Sequence, residues 1–95
     1  MRKYGRVDDN HAKIVQALRQ IGCSVQSLAS VGSGCPDLVV AKNNCIWLCE
    51  VKDGTKPPSQ RKLTPDEVEW HARWKSEVWV LNSVEEALEM VNKRF

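Results

Sequence analysis

The apolar positions of this chain change period several times between its 95 residues, and each change marks an element. From Asp9 to Gly22, residues Ile14, Val15, Leu18 and Ile21 recur at the spacing that lines one side of a helix. Asp8 or Asp9 caps its start, and Gly22 follows its end. Between Val25 and Val31, the set Val25, Ser27 and Ala29 alternates with Gln26, Leu28 and Ser30, a strand pattern that stops at Gly32-Ser33-Gly34. Asp37 to Ala41 and Cys45 to Lys52 are also strand-like. Lys42-Asn43-Asn44 between them has the composition of a tight turn, so the two predict an antiparallel hairpin. Asp53 to Lys62 has no apolar period and reads as an exposed loop. Thr64-Pro65-Asp66-Glu67 then supplies a capping Thr, a Pro at the first helical position and a Glu at the third, which predicts a helix to about Lys75. Trp70 and Trp74 fall on one face of it. Val78 to Leu81 is a short strand, and Ser83 to Glu86 is a second capping box ahead of Val84, Ala87, Leu88 and Val91. The predicted order is αβββαβα, an α/β domain spanning residues 1–95 without repeats or linkers.

Composition narrows the class. With 42% hydrophobic and 27% charged residues, the chain is too apolar for disorder and too short for two cores. Fourteen Lys plus Arg against twelve Asp plus Glu give +2, so any affinity for nucleic acid depends on where the charges sit. No apolar run is long enough to span a membrane, and Met1 to Asn10 is polar where a secretory signal would be apolar, which predicts a cytosolic protein. Cys23, Cys35, Cys45 and Cys49 lie in or beside apolar stretches and read as reduced core thiols. The C-x2-4-C and H-x3-5-H spacings of a zinc site are absent. A disulfide between two of the four is the remaining alternative, disfavoured in a reducing compartment.

The hairpin register carries the chemistry. A turn centred on Asn43-Asn44 pairs Lys42 with Cys45 and, counting back, Asp37 with Glu50. Opposed side chains stand about 5 Å apart, and two carboxylates at that distance repel unless a cation or a shared proton lies between them. Lys52, two residues beyond Glu50, shares its face. Hard oxygen ligands without paired Cys or His suit Mg²⁺ or Mn²⁺, which accept phosphate oxygens as further ligands and activate water. Asp37, Glu50 and Lys52 therefore predict metal-dependent hydrolysis of a phosphodiester. The alternative makes Asp37 a turn cap and Glu50 and Lys52 a solvated strand face, although the strand that carries them is apolar on both faces.

Gly34-Cys35-Pro36-Asp37 followed by Glu50-Val51-Lys52 resembles the PD-(D/E)XK nuclease signature. With Ser33, Leu38 to Val40, Asp53-Gly54, and Leu63-Thr64-Pro65-Asp66-Glu67 to Trp70-His71, nearly the whole chain resembles the stand-alone virus-type replication-repair nuclease domain, VRR-NUC. The resemblance implies a restriction-endonuclease-like αβββαβ core with a mixed central sheet flanked by helices. It also implies metal ligation by Asp37, Glu50 and the Val51 carbonyl, with Lys52 as the catalytic lysine. Branched DNA such as a four-way junction would be the substrate and a homodimer the working unit, in keeping with one site per small domain. Two positions depart from the family pattern. Lys13 stands where relatives often carry a first-helix glutamate, leaving Asn10 as an auxiliary candidate there, and Glu67 stands where a glutamine is frequent, with Gln60 nearby.

Lys56, Arg61 and Lys62 in the loop, and Arg6 with Arg2 and Lys3 at the start, are candidate phosphate contacts, positioning DNA without reading its bases. Trp47, Trp70, Trp74 and Trp79 could stack bases, but their periodic placement predicts core packing. His71 reads as structural, and His11 as a surface residue or a neighbour of the site. Two rivals remain: a catalytically inactive DNA-binding module with the nuclease fold, and a protein-interaction domain whose charges are only surface.

Overall fold

A computed structural model describes residues 9–95, so Arg2, Lys3 and Arg6 lie outside the described part. Its elements run α1 (Asp9–Gln20), β1 (Ser24–Ser27), β2 (Leu38–Lys42), β3 (Cys45–Val51), a 3-10 turn at Pro58–Gln60, α2 (Pro65–Arg73), β4 (Val78–Leu81) and α3 (Val84–Asn92). The order is the one the apolar pattern predicts. The sheet is mixed, with strands side by side in sequence order; β1–β2 and β2–β3 are antiparallel, and β3–β4 is parallel. Among the described residues, no helix is long and apolar enough to cross a membrane.

The hairpin turn fixes the centre of the sheet. Asn43 and Asn44 both hold positive φ, 49° and 69°, the combination a two-residue turn needs to follow strand twist. Lys42 consequently pairs with Cys45 and Leu38 with Cys49. This register sends Leu38, Val40, Trp47, Cys49 and Val51 to one face, where they are buried with Ile14 and Leu18 of α1, Leu81 of β4, and Ala87, Met90 and Val91 of α3. The other face is thinly covered: Ile46 is 69% exposed and Val80 38%.

β2 and β3 match their predicted bounds to within one residue, and three other boundaries differ from the sequence pattern. β1 stops at Ser27, because the Leu28 amide bonds the Asp37 carbonyl at 2.8 Å and the Val31 amide turns back to Leu28. α1 stops at Gln20, with Gly22 at φ 95° receiving the turn. α2 stops at Arg73, where Trp74 takes an extended ψ of 135° and its amide closes on Trp70 and His71.

The tryptophans divide in a way their spacing does not predict. Trp47 is in the core and Trp79 packs against it. Trp70 and Trp74 instead stack on each other with ring centroids 4.7 Å apart, Trp74 is 46% exposed, and α2 buries no residue at all. The four cysteines are free thiols; Cys23 and Cys49 are buried, while Cys35 and Cys45 are half-buried. Burial pushes the Cys49 thiol up to about 12, as expected of an inert core thiol.

Candidate active site

The site forms where the β2–β3 ladder ends. Asp37 immediately precedes β2, and its Oδ2 accepts the Val51 amide at 2.7 Å, taking the place of a backbone acceptor at the end of the hairpin. That bond fixes the carboxylate against β3 beside Glu50. Within a strand, the N–H and C=O of one residue point to the same side, so the Val51 carbonyl also faces the space beyond the end of β2.

Glu50 is the anomaly of the face opposite the core, the one that carries exposed Ile46 and Val80. It is 3% exposed, and its Oε1 has no hydrogen-bond partner. Burial, then a hydrogen bond from its protonated form to Asp37 and the Asp37 charge, then the same influences from Glu67, push its carboxyl up to about 9. A solvated strand face is therefore excluded for Glu50. Metal-free at neutral pH, the group is held as an acid among carboxylates.

Lys52 follows β3, with Nζ 3.9 Å from Glu50 Oε2 and 2.9 Å from Glu67 Oε1. Glu67 belongs to the capping box of α2: its Oε1 also accepts the Thr64 amide at 2.9 Å, and its own amide donates to Thr64 Oγ1. Burial raises the Glu67 carboxyl, but the bonds from Lys52 and the Thr64 amide outweigh it and hold the group below its ordinary range. Gly34 makes this approach possible. It sits at φ 86°, and a Cβ there would lie 2.3 Å from the Asp66 carbonyl oxygen, so the loop before Asp37 lies directly against the first turn of α2.

The other candidates fall around this centre. Asn10 donates from Nδ2 to the carbonyls of Lys52 and Asn82, tying the start of α1 to the ends of β3 and β4. It positions the backbone of the lysine and presents no oxygen to the carboxylates through those bonds. Gln60 is exposed in the 3-10 turn. Lys56 and Lys62 are exposed on the same loop, whereas Arg61 donates from Nε to the Lys56 carbonyl at 2.8 Å and lines an open cavity of about 550 Å³ with Asn10, Lys13 and Thr55. His71, one turn beyond Glu67, has a buried Nε2 without a hydrogen-bond partner. Sequence reasoning ranked Glu67 as auxiliary. Its capping position was legible, but its bond to Lys52 depends on how α2 returns to the sheet.

Among the described residues, no group of three or more His, Cys, Asp and Glu side chains forms a ready-made metal cage. Mg²⁺ needs none, because it retains several waters and is usually held by one or two carboxylates together with substrate phosphates. The adjoining Asp37 and Glu50, the unpartnered buried Oε1 and an available carbonyl suit such an ion.

No protein-family model matches the chain, and no curated protein matches it. A solved structure described as a VRR_NUC domain is similar over 93% of this chain and 100% of its own, with a TM-score of 0.66 and 22% identity. That identity shows the fold alone: this chain has the fold of a VRR-NUC domain.

Proposed function

We propose that the protein is a metal-dependent endonuclease that hydrolyses DNA phosphodiester bonds, selects branched DNA such as four-way junctions and works as a homodimer. The observation that carries the reading is the buried Glu50 carboxyl, with an unpartnered oxygen, set between Asp37 and the Lys52–Glu67 pair. A protein without use for that arrangement would save several kcal/mol by placing an apolar residue there. Asp37, Glu50 and the Val51 carbonyl would hold Mg²⁺ or Mn²⁺. When bound, the ion polarises the phosphate and acidifies a coordinated water.

The chain's own groups supply the rest. Asp37 is oriented before substrate arrives, because the Val51 amide occupies one of its oxygens. Glu50 would hold the cation as a carboxylate, its proton released to solvent. Lys52 keeps its ammonium beside the carboxylates through its bond to Glu67, where it orients the attacking water and meets negative charge developing on the phosphate. The water oxygen forms a bond to phosphorus as one P–O ester bond breaks, the proton lost by the water passing to solvent and the leaving oxygen taking one from solvent. Lys56, Arg61 and Lys62, on the loop that leaves Lys52, are assigned to phosphates further along the backbone.

One site per chain cuts one strand, so paired incisions at a branch call for two copies. The uncovered sheet face with Ile46 and Val80 exposed is the surface assigned to the second copy. The test is cleavage of labelled four-way junction, flap, linear duplex and single-stranded DNA with Mg²⁺ or Mn²⁺, wild type beside Glu50→Ala. Metal-dependent products from wild type alone support the reading, with the junction cut fastest. Binding without cutting by both proteins assigns an inactive module instead.

A further inference from the structure

The aromatic pair of Trp70 on α2 and Trp74 at its C-cap is an apolar feature that neither the core nor the proposed chemistry uses. Glu67, Trp70 and Trp74 are spaced i, i+3 and i+7, so the face of α2 that brings Glu67 to Lys52 also carries both indoles. Seven residues of helix span about 10 Å, the rise of about three stacked base pairs. The rings are nearly parallel, 21° apart with centroids at 4.7 Å, and the edge of His71 lies against Trp70. Trp74 ends the stack and is 46% exposed. Its backbone is fixed by the bonds that close the helix, and exposed Arg73 and Lys75 flank it in sequence. A flat, exposed indole with an exposed cation on either side of it in sequence offers the chemistry of one nucleotide: ring for base, cations for the adjoining phosphates.

We propose that Trp74, backed by Trp70, is a stacking platform for an unpaired base of the DNA substrate, within about three base steps of the phosphodiester that is cut. The inference rests on the nuclease reading above and deepens it, because a platform for a single base favours DNA whose bases are already unstacked at a branch, bulge or end. A fully paired duplex must first lose stacking and pairing to use it. Base–aromatic stacking depends little on base identity, so the preference would be for structure over sequence.

The experiment measures binding in EDTA of wild type, Trp74→Ala and Trp74→Phe to a fluorescein-labelled perfect duplex and to the same duplex carrying two unpaired thymines. Sedimentation of each protein is recorded alongside. Trp74→Ala is expected to weaken binding to the bulged DNA by about 5- to 150-fold while changing duplex binding less than about twofold, and Trp74→Phe to restore most of the difference. Quenching of tryptophan fluorescence by the bulged DNA should disappear with Trp74. Equal loss on both DNAs, or no loss, overturns the proposal. So does a dimer that becomes monomeric in Trp74→Ala, which would assign the indole to a protein contact. Wild type that binds neither DNA in EDTA, and cuts neither once Mg²⁺ or Mn²⁺ is added, would overturn the nuclease reading itself.

Discussion

Replacing Glu50 with Gln should abolish cleavage and, with metal removed, make the protein more stable. The native site holds an acid that is 3% exposed, with Asp37 and Glu67 pressing on it, Cys35 nearby, and Lys52 no closer than 3.9 Å. Its carboxyl titrates at about 9 in the fold against an ordinary value of 4.5. Across that interval the native state keeps a proton that the unfolded chain has released, so stability falls as pH rises. At about 1.4 kcal/mol per pH unit, the cost accumulated from the ordinary carboxyl range up to neutrality is about 3 kcal/mol. Gln has the same shape and stays neutral, so Glu50→Gln should gain about 1–3 kcal/mol near neutrality, roughly 4–8 °C in Tm per kcal/mol. Urea or thermal unfolding in EDTA at acid, neutral and mildly alkaline pH measures this. The advantage should be smallest near pH 4.5, the ordinary value, and grow as pH rises. A variant no more stable than wild type in mild alkali, or an advantage independent of pH, would refute the account of Glu50.

Adding Mg²⁺ or Mn²⁺ to wild type should raise Tm, by about 2.7 kcal/mol of stability at a hundredfold excess over Kd, and EDTA should reverse it; Glu50→Gln should lose most of the effect. Gly34→Ala should cost about 1–3 kcal/mol in unfolding and slow cleavage, because its φ of 86° is strained for alanine and the added carbon collides with the Asp66 carbonyl. Glu67→Ala should cost about 1–2 kcal/mol at neutral pH by removing half of a capping box and the partner of Lys52. The Glu67 carboxyl is lowered by those contacts, so this stabilisation is complete above the ordinary carboxylate range and fades as pH falls through it; acid and neutral melts of the variant beside wild type measure it. Lys52→Ala should abolish cleavage while leaving the metal-dependent rise in Tm in place.

The hairpin was the legible part of the site because a two-residue Asn-Asn turn leaves its register no freedom; the ladder ends at Leu38–Cys49, one pair short of Asp37 and Glu50, and the Val51 amide then holds the Asp37 carboxylate against β3. The capping box of α2 and the Ser83 cap of α3 were legible for a similar reason, since they act within four residues, but the second box does not close: Glu86 Oε1 accepts from the Asn82 amide and not from that of Ser83. Trp70 and Trp74 show where local pattern fails. Helical spacing reveals that two indoles share a side, but whether anything covers that side is a tertiary fact, and among the described residues Trp70 is only half-buried and Trp74 is exposed. Ser27 shows it again: alternation continued to Val31, yet the Leu28 amide found its partner in the Asp37 carbonyl and the strand stopped. Glu67 was placed by its capping pattern, while its bond to Lys52 rests on the bare backbone of Gly34, thirty-three positions earlier.

One oxygen, Glu67 Oε1, serves both the Thr64 amide and the Lys52 ammonium. It closes the first turn of a helix that contributes nothing to the core. Winding α2 and completing the site are therefore a single local folding event, thermodynamically separable from the sheet beneath it. Amide hydrogens of Val68 to Trp74 should exchange at a free energy well below that of β2 and β3. On heating, the proposed cleavage would be lost in a first, reversible opening while the strands remain paired, at a temperature set by α2 and below that at which the sheet unfolds.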